Sequence, residues 1–460
     1  MSFATTPGTL GIAAPEPGVL SIAERIDRLP VTGLHVAIIA ACTIGLFADI
    51  AEVALANALS AVFLSPPHNM ARGDLALLLS SIFAGGVIGA PLFGAVGDRF
   101  GRRRALQIAL AVIALGSLAA AASPGLASLT FCRFLSGIGI GGYPALSAAY
   151  VSDLVPPKQR GRAMMLSAGV GCLGAPAILL LIGALTPLQP LGIEAWRWAI
   201  GSGGVLALLC AAAFSLLPDS PRWLASVGRD AEAEEACRRL ERSAGAEHPR
   251  TLPGGVVAGQ VAVGFRALLA SPAGMQRTAL ITGLFALASW ATVGFPLLSG
   301  AVLLQKGFTL QQSLLFVTLS MLGPALGSFS MALIVDFMGR RLCLAACTLA
   351  MAGVGITFAL SDNLTVLTLC GIAFTTASAI YVGLLSIYST ELLPTPTRAS
   401  SLALAWMAGR IASTCAPLVL LPLLQGYGPT AMFAVITATL AASLALVLVG
   451  PSGLTGKPVA

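Results

Sequence analysis

The chain has 460 residues, of which 57% are apolar and 10% charged, and its formal net charge is +7. Soluble domains usually carry about 25% charged residues, which cover their surface, so this composition excludes an ordinary soluble protein. Disorder and collagen are excluded as well, because the sequence has no polar low-complexity tract and no triplet glycine period. A polytopic membrane protein remains.

Long uncharged runs predict helical membrane spans, each of which needs about 20 apolar residues. The first twenty residues lack the basic region and compact apolar core of a cleaved signal peptide, so we expect the N-terminus to stay in the cytoplasm. The expected fold is an all-α polytopic membrane protein. Twelve spans are predicted near 33–62, 75–97, 104–122, 126–151, 162–186, 195–217, 277–304, 309–335, 342–361, 364–389, 399–424 and 428–450.

Lys and Arg are distributed unevenly among the predicted loops. With the N-terminus inside, 21 of the 26 fall on the cytoplasmic side, and only Arg72, Arg197 and Lys306 fall outside. Basic residues concentrate in the cytoplasmic loops of membrane proteins. We therefore expect a multi-pass protein of the cytoplasmic (inner) membrane with both termini in the cytoplasm. This topology explains the positive net charge without a nucleic-acid partner.

Two loop regions of the first half recur in the second half at a constant offset of 238 residues. The offset carries Asp98 onto Asp336, Gly101 onto Gly339, Arg102 onto Arg340, Arg103 onto Arg341, Tyr150 onto Tyr388, Asp153 onto Glu391 and Arg160 onto Arg398. Two clusters at one offset indicate a duplicated six-helix unit, with the substrate route between the copies. The predicted order is an N-terminal cytoplasmic segment (1–32), a six-helix half (33–217), a cytoplasmic linker (218–276), a second six-helix half (277–450) and a short cytoplasmic tail (451–460).

These loops resemble those of the major facilitator superfamily. Residues 94–103, Gly-Ala-Val-Gly-Asp-Arg-Phe-Gly-Arg-Arg, are similar to its signature between spans two and three. Residues 218–224 resemble the sequence that ends span six in sugar porters and their relatives, and residues 150–161 resemble their loop after span four. The resemblance covers almost the whole chain. It implies a monomeric secondary transporter that works by alternating access.

Four ionisable side chains lie inside predicted spans: Asp49 and Glu52 in span one, Arg133 in span four and Arg410 in span eleven. Such groups are costly in a bilayer core and are functional candidates by default. Asp49 and Glu52 are three residues apart on one helical face, so their repulsion favours proton uptake by one of them. Heights estimated along the two helices predict an Asp49–Arg133 pair that opens on protonation or substrate binding. A static pair that only fixes packing is the alternative.

Arg410 near the middle of span eleven needs a carboxylate, from Asp49, Glu52 or the substrate. Arg binds carboxylates through two parallel hydrogen bonds, which favours an organic anion as cargo. Trp290, Tyr143 and Tyr381 are candidates to stack on a substrate ring, although aromatic residues in spans more often pack or anchor at the interface.

Shorter motifs narrow the resemblance. Residues 47–52 are similar to the acidic motif in span one of the aromatic acid:proton symporters, and residues 409–411 resemble the span-eleven motif of those symporters and of niacin-type porters. Residues 25–30, followed by His35, are similar to the lead-in of the niacin and related metabolite porters.

The repeated loop charges are expected to form a cytoplasmic gate. Ion pairs between the two halves would close it in the outward-open state and separate in the inward-open state. A role in topology alone is the alternative. The predicted gate residues are Gly94, Asp98, Arg99, Gly101, Arg102, Arg103, Asp153, Arg160, Asp336, Gly339, Arg340, Arg341, Glu391 and Arg398.

The leading hypothesis is a proton-coupled carrier of an aromatic or heterocyclic carboxylate. A sugar:proton symporter and a metabolite or drug:proton antiporter are the alternatives, although residues 290–298 lack the glutamine-rich motif of sugar porters and residues 174–176 resemble the antiporter motif only faintly. A nutrient receptor is disfavoured because the tail after span twelve is short. With no phosphate-binding, metal-ligating or catalytic motif in the sequence, we expect neither an enzyme nor a cofactor.

Overall fold

The computed structural model describes residues 21–245, 272–334, 339–393 and 398–451. In these ranges the structure is helical without strands, and 12 spans are long and apolar enough to cross a membrane, which confirms the predicted all-α fold. The unbroken spans are Gly33–Val62 (one), Arg72–Phe100 (two), Arg102–Ala121 (three), Leu126–Leu154 (four), Ala195–Ala213 (six), Arg340–Leu360 (nine), Leu364–Leu392 (ten), Arg398–Tyr427 (eleven) and Pro429–Val449 (twelve).

Spans five, seven and eight are each built from two helices, where the sequence predicts one continuous helix. The helix pairs are Pro157–Cys172 with Gly174–Leu185, Pro272–Thr292 with Gly294–Gln305, and Leu310–Ser320 with Gly323–Ile334. A proline follows each break, and because proline has no N–H, the carbonyl four residues earlier loses its helical partner. In span eight Pro324 frees the carbonyl of Ser320, to which the Thr375 hydroxyl of span ten donates at 2.6 Å.

The helical bundle has two ends, called here the linker face and the opposite face. The linker face is the end at which span one begins, and it also holds the connection between spans two and three (Phe100–Arg102) and the end of span four. The opposite face is the end at which span one finishes. Because successive spans reverse direction, each residue can be placed in depth from its distance to the nearest span end, at about 1.5 Å per residue.

Spans two and four lie close together because glycines line their contact. A Cβ at Gly85 would collide with the backbone of Phe134, and a Cβ at Gly137 would collide with the backbone of Ile82. Small residues allow such backbone approach between helices in a membrane. The contact fixes span four, and hence Arg133, beside the other spans of the first half.

Three short helices cover the linker face of the first six spans: Ile22–Arg28, Pro221–Ser226 and Asp230–Ala244. Arg25 is 1% exposed and bridges Glu234 and Glu241 at 2.7 Å each. The Trp223 indole donates to the Asp98 carbonyl at 3.0 Å. The N-terminal helix is thus held to the linker, and the linker to the end of span two.

We expect Arg25→Met to release the N-terminal helix and make Cys237 reactive. Burial raises the pKa of the Cys237 thiol to about 12, against the smaller lowering effect of Arg25, so little thiolate exists near neutral pH. Maleimide labelling of Cys237 at pH 7, followed by mass spectrometry, should be about tenfold faster in Arg25→Met, because the loosened helix exposes the thiol. Arg242→Met, which removes an exposed Arg that pairs with the exposed Glu235 on the same helix, is the control. Equal labelling in all three proteins would show that Arg25 does not hold this contact.

Candidate functional site

A cavity of about 570 Å³ lies between the first six and the last six spans. Its wall is largely apolar, and among the residues that the structure describes its two charged members are Asp49 and Arg410. A mostly apolar cavity with a few placed polar groups is the usual form of a small-molecule site. The wall includes Asp49, Val53, Asn57, Phe285, Ser289, Val293, Pro296, Met321, Thr375, Trp406, Arg410 and Ser413.

Asp49 and Arg410 share this cavity without bonding directly to each other. Asp49 is 3% exposed, and its Oδ1 atom is buried without a hydrogen-bond partner. Arg410 comes from the other half of the chain, and within the described ranges its guanidinium forms no ion pair or side-chain hydrogen bond. The two charges are close enough to interact electrostatically. A buried carboxylate and a guanidinium with unused hydrogen-bonding capacity therefore meet at one site.

Arg133 binds Glu52, so the predicted Asp49–Arg133 pair is wrong. Arg133 Nη1 lies 2.6 Å from Glu52 Oε2, and Nη2 donates to the Glu52 backbone carbonyl at 2.8 Å. A step of three residues turns a helix by about 300°, so two side chains three apart point about 60° away from each other. Asp49 consequently faces the cavity, and Glu52 faces span four.

The Glu52–Arg133 pair is enclosed within the first six spans. Glu52 is 0% exposed and Arg133 is 1% exposed, and neither belongs to the cavity wall. Gly203 of span six leaves the space that the carboxylate occupies, since a Cβ there would collide with Glu52 Oε1. The sequence-based alternative of a static packing pair was drawn for Asp49 and Arg133; the buried pair in the structure has Glu52 in place of Asp49.

Tyr143, Trp290 and Tyr381 do not line the cavity. The Tyr143 hydroxyl donates to the Cys42 carbonyl at 3.0 Å, and the Tyr381 hydroxyl lies 2.8 Å from Ser443 Oγ. Each tyrosine therefore packs inside its own half. Trp290 packs, partly buried, against the hydrophobic core.

The aromatic residues of the cavity wall include Phe285 and Trp406, whose ring centroids are 4.9 Å apart. Sequence reasoning missed both. A signal existed for Trp406, because it lies four residues before Arg410 and so shares its helical face. Phe285 carried no comparable signal, since it stands in a uniformly apolar stretch of span seven.

Predicted gate residues of the first half pair with one another. Arg102 lies 2.6 Å from Asp98 and 3.9 Å from Asp153. The Arg103 side chain donates to the Leu217 carbonyl at 2.9 Å at the end of span six. Arg160 donates to the Val155 carbonyl at 3.3 Å. Arg99 lies over the ring of its neighbour Phe100, with its guanidinium carbon 5.5 Å from the ring centroid.

Two glycines of this motif differ in their surroundings. Gly101 has φ +101°, a conformation that L side chains rarely adopt, and a Cβ there would collide with the side chains of Asp219 and Trp223. Gly94 has open space where its Cβ would stand. A close approach therefore requires glycine at position 101 and not at position 94.

The second half repeats the pattern. Arg340, whose helix is capped by Gly339, lies 3.1 Å from Glu391, and Arg341 donates to the Leu448 carbonyl at the end of span twelve. Asp336 and the side chain of Arg398 lie outside the described residues. All the loop pairs that can be described thus join residues within one half, contrary to the expected pairing between halves. A gate role for these residues stays a prediction.

The two halves meet at the opposite face. Asn57 Nδ2 lies 3.6 Å from Met321 Sδ, and the Gln311 side chain donates to the Gly183 carbonyl at 3.4 Å. A Cβ at Gly300 would lie 3.4 Å from the Ala61 side chain. Spans one and five therefore contact spans seven and eight at this end of the cavity.

Comparison with known proteins agrees with this architecture. The sequence profile of the family described as "Sugar (and other) transporter" matches residues 35–452. The putative metabolite transport protein YdjK of Escherichia coli is 29% identical over 93% of this chain and 94% of its own length. The niacin transporter NiaP of Acinetobacter baylyi is 26% identical over 95% of this chain and 98% of its own. The solved structure of the xylose transporter XylE from Escherichia coli in a partially occluded inward-open conformation superposes with a TM-score of 0.75 at 19% identity, covering 93% of this chain and 100% of that one.

Proposed function

The chain belongs to the sugar (and other) transporter family of the major facilitator superfamily, and from this premise we propose that it carries a small organic acid together with protons. The observation that supports this cargo is the arrangement of Arg410 and Asp49 in one cavity without a direct bond between them. An Arg side chain binds a carboxylate through two parallel hydrogen bonds, and a water-excluded site strengthens that interaction. Arg410 is therefore the proposed anchor for the substrate carboxylate.

Asp49 couples the bound anion to a proton in this mechanism. While the site is empty, Arg410 is the oppositely charged group that shares the cavity with Asp49. A bound substrate carboxylate forms hydrogen bonds with the Arg410 guanidinium and places a second negative charge beside Asp49. Like charges in a low-dielectric site disfavour each other, so Asp49 takes up a proton as the anion binds. Substrate and proton then cross together, while the Glu52–Arg133 pair holds spans one and four.

Two aromatic residues of the wall support an aromatic or heterocyclic cargo. Phe285 and Trp406 offer ring faces on which a planar substrate can pack. The hydroxyls of Ser289, Thr375 and Ser413 donate to backbone carbonyls at 2.9, 2.6 and 2.9 Å. The protons of these three hydroxyls are therefore committed to the helices, whereas the hydroxyls of Thr292 and Ser378 on the same wall have no hydrogen-bond partner among the described residues. A sugar, which needs many hydrogen bonds, is the second candidate and is favoured by the fold shared with a xylose transporter.

Transport is proposed to occur by rocking of residues 33–217 against residues 277–450, with the linker face in the cytoplasm. The basic loops at that face support this orientation. Arg102 with Asp153 and Arg340 with Glu391 would exchange partners as the halves close there. A monomer suffices for this cycle, because both halves belong to one chain.

Asp49→Asn is expected to lose gradient-driven accumulation. Proteoliposomes would be given radiolabelled nicotinate or benzoate with and without an inward proton gradient. Wild type should accumulate label in response to the gradient, whereas the variant should accumulate at least about tenfold less, because the amide cannot take up the proton. Asp74→Asn, at an exposed carboxylate in the first turn of span two, is the matched control and should behave as wild type. Gradient-driven accumulation by Asp49→Asn equal to that of wild type would refute the coupling role.

A further inference from the structure

Asn57 is a buried polar side chain whose amide is poorly satisfied. It lines the cavity, is 8% exposed, and its one side-chain hydrogen bond to a described residue joins Nδ2 to the Met321 thioether at 3.6 Å. Sulfur in a thioether is a weak acceptor, and an amide offers two N–H donors and an acceptor oxygen. One N–H and the carbonyl oxygen are therefore available to a molecule in the cavity.

Asn57 stands far from the proposed carboxylate anchor. Asp49, Val53 and Asn57 follow one another at four-residue steps on the cavity side of span one, so Asn57 lies about 12 Å nearer the opposite face than Asp49. Arg410 lies at about the same depth as Asp49. Its Nη1 atom is 3.4 Å from the position that a Cβ on Gly86 would occupy. Gly86 in turn lies about 21 Å from the end of span two at the opposite face.

Among the described residues, the wall between these two levels is apolar apart from the Thr375 hydroxyl. Val53 of span one and Val293 and Pro296 of span seven lie there, judged from their distances to the span ends. Thr375 is the hydroxyl nearest the Asn57 end, and it donates to the Ser320 carbonyl. The site therefore has the Arg410 guanidinium at one level, a largely apolar middle, and the Asn57 amide with free hydrogen-bonding capacity near the opposite face, where the two halves meet.

We propose that Asn57 is a specificity-determining residue that hydrogen-bonds the far polar group of an elongated acid whose carboxylate Arg410 holds. This inference rests on the proposed function and narrows its substrate class. The fitting class is a planar acid with a spacer between its carboxylate and a ring that bears a distal hydroxyl. The bound hydroxyl pairs with the N–H or the carbonyl oxygen that the Met321 contact leaves unused, and an acid without a hydroxyl leaves those groups unsatisfied.

Two matched pairs of acids test the inference. Initial uptake into proteoliposomes gives relative kcat/KM for 4-hydroxycinnamate against cinnamate and for 4-hydroxybenzoate against benzoate. Wild type should prefer 4-hydroxycinnamate to cinnamate by about tenfold, the effect of one buried hydrogen bond. The shorter pair should show little preference, because without the spacer its hydroxyl stops short of Asn57.

Asn57→Leu keeps the side-chain volume and removes the hydrogen bonds. It should abolish the preference within the longer pair while cinnamate uptake persists, and Met321→Leu should preserve the preference. Dissociation constants of the four acids, measured in detergent, give the preference for the hydroxylated acid of each pair without requiring transport. They also allow the test for a variant that binds substrate but does not transport it. An unchanged preference in Asn57→Leu overturns the role of Asn57 and leaves the proposed function standing. No uptake of any carboxylate by wild type refutes the proposed function itself.

Discussion

Uptake of a carboxylate substrate should fall by at least about 30-fold when Arg410 is replaced by methionine, because truncating a buried charge contact costs about 2–5 kcal/mol. Methionine keeps an unbranched stem similar to the aliphatic part of the Arg side chain but removes both the charge and the paired donors. Arg410→Lys should retain part of the uptake, since a point charge remains without the planar fork. The measurement is initial uptake in proteoliposomes together with the dissociation constant in detergent.

The matched control for Arg410 is Arg104→Met, which removes an exposed Arg in the first turn of span three. It should transport as wild type. Arg410→Met should remain folded, because among described residues the guanidinium supports no ion pair. A thermal unfolding midpoint in detergent checks this. Undiminished carboxylate binding by folded Arg410→Met would assign the anion to another site.

Breaking the Glu52–Arg133 pair should affect stability before transport. Arg133→Met leaves a fully buried carboxylate without its guanidinium, which should cost about 3–5 kcal/mol of unfolding free energy. The double variant Glu52→Leu with Arg133→Met removes both charges and should recover most of that loss, because a buried pair can often be replaced by apolar side chains at little cost. Thermal unfolding in detergent of wild type, single and double variants measures both effects.

The double variant also separates the two roles considered for this pair. Glu52 and Arg133 lie outside the cavity wall, so a folded double variant should still accumulate substrate in response to a proton gradient. Loss of the gradient response with normal folding and binding would make the pair part of the coupling machinery. Asp49 would then share the proton with Glu52.

Composition and hydropathy were sufficient to predict the twelve spans, because a bilayer forces each crossing into a long apolar helix. The breaks in spans five, seven and eight could not be predicted in the same way. A proline in a span is compatible with a continuous kinked helix, as Pro144 in span four shows. Whether a helix ends depends on partners for the freed carbonyl, such as Thr375 for Ser320, and those come from other spans.

The sequence identified the charged residues of the candidate site but not the contacts that they make. Asp49 and Arg410 were identified by their position within spans alone, because a charged side chain in the bilayer core is costly and usually serves a function. Depth estimates placed Arg133 near Asp49 but carried no information on the direction in which each side chain points. Asp49 and Glu52 point about 60° apart around span one, and Arg133 pairs with Glu52. The prediction that Tyr143 and Tyr381 contact the substrate was wrong for the same reason. Their equivalent positions in the two halves indicate their depth, but each ring packs within its own half.

Proton movement measured at the moment of substrate uptake tests the central claim most directly. Proteoliposomes holding a trapped pH dye, with equal pH on both sides, would receive an aromatic carboxylate at a pH where it is fully ionised. We expect the lumen to acidify as label enters in wild type and in Asp74→Asn, and neither protein-free liposomes nor Asp49→Asn should show this acidification. Entry of the carboxylate without lumen acidification, or equal acidification by Asp49→Asn, would contradict proton-coupled transport through Asp49.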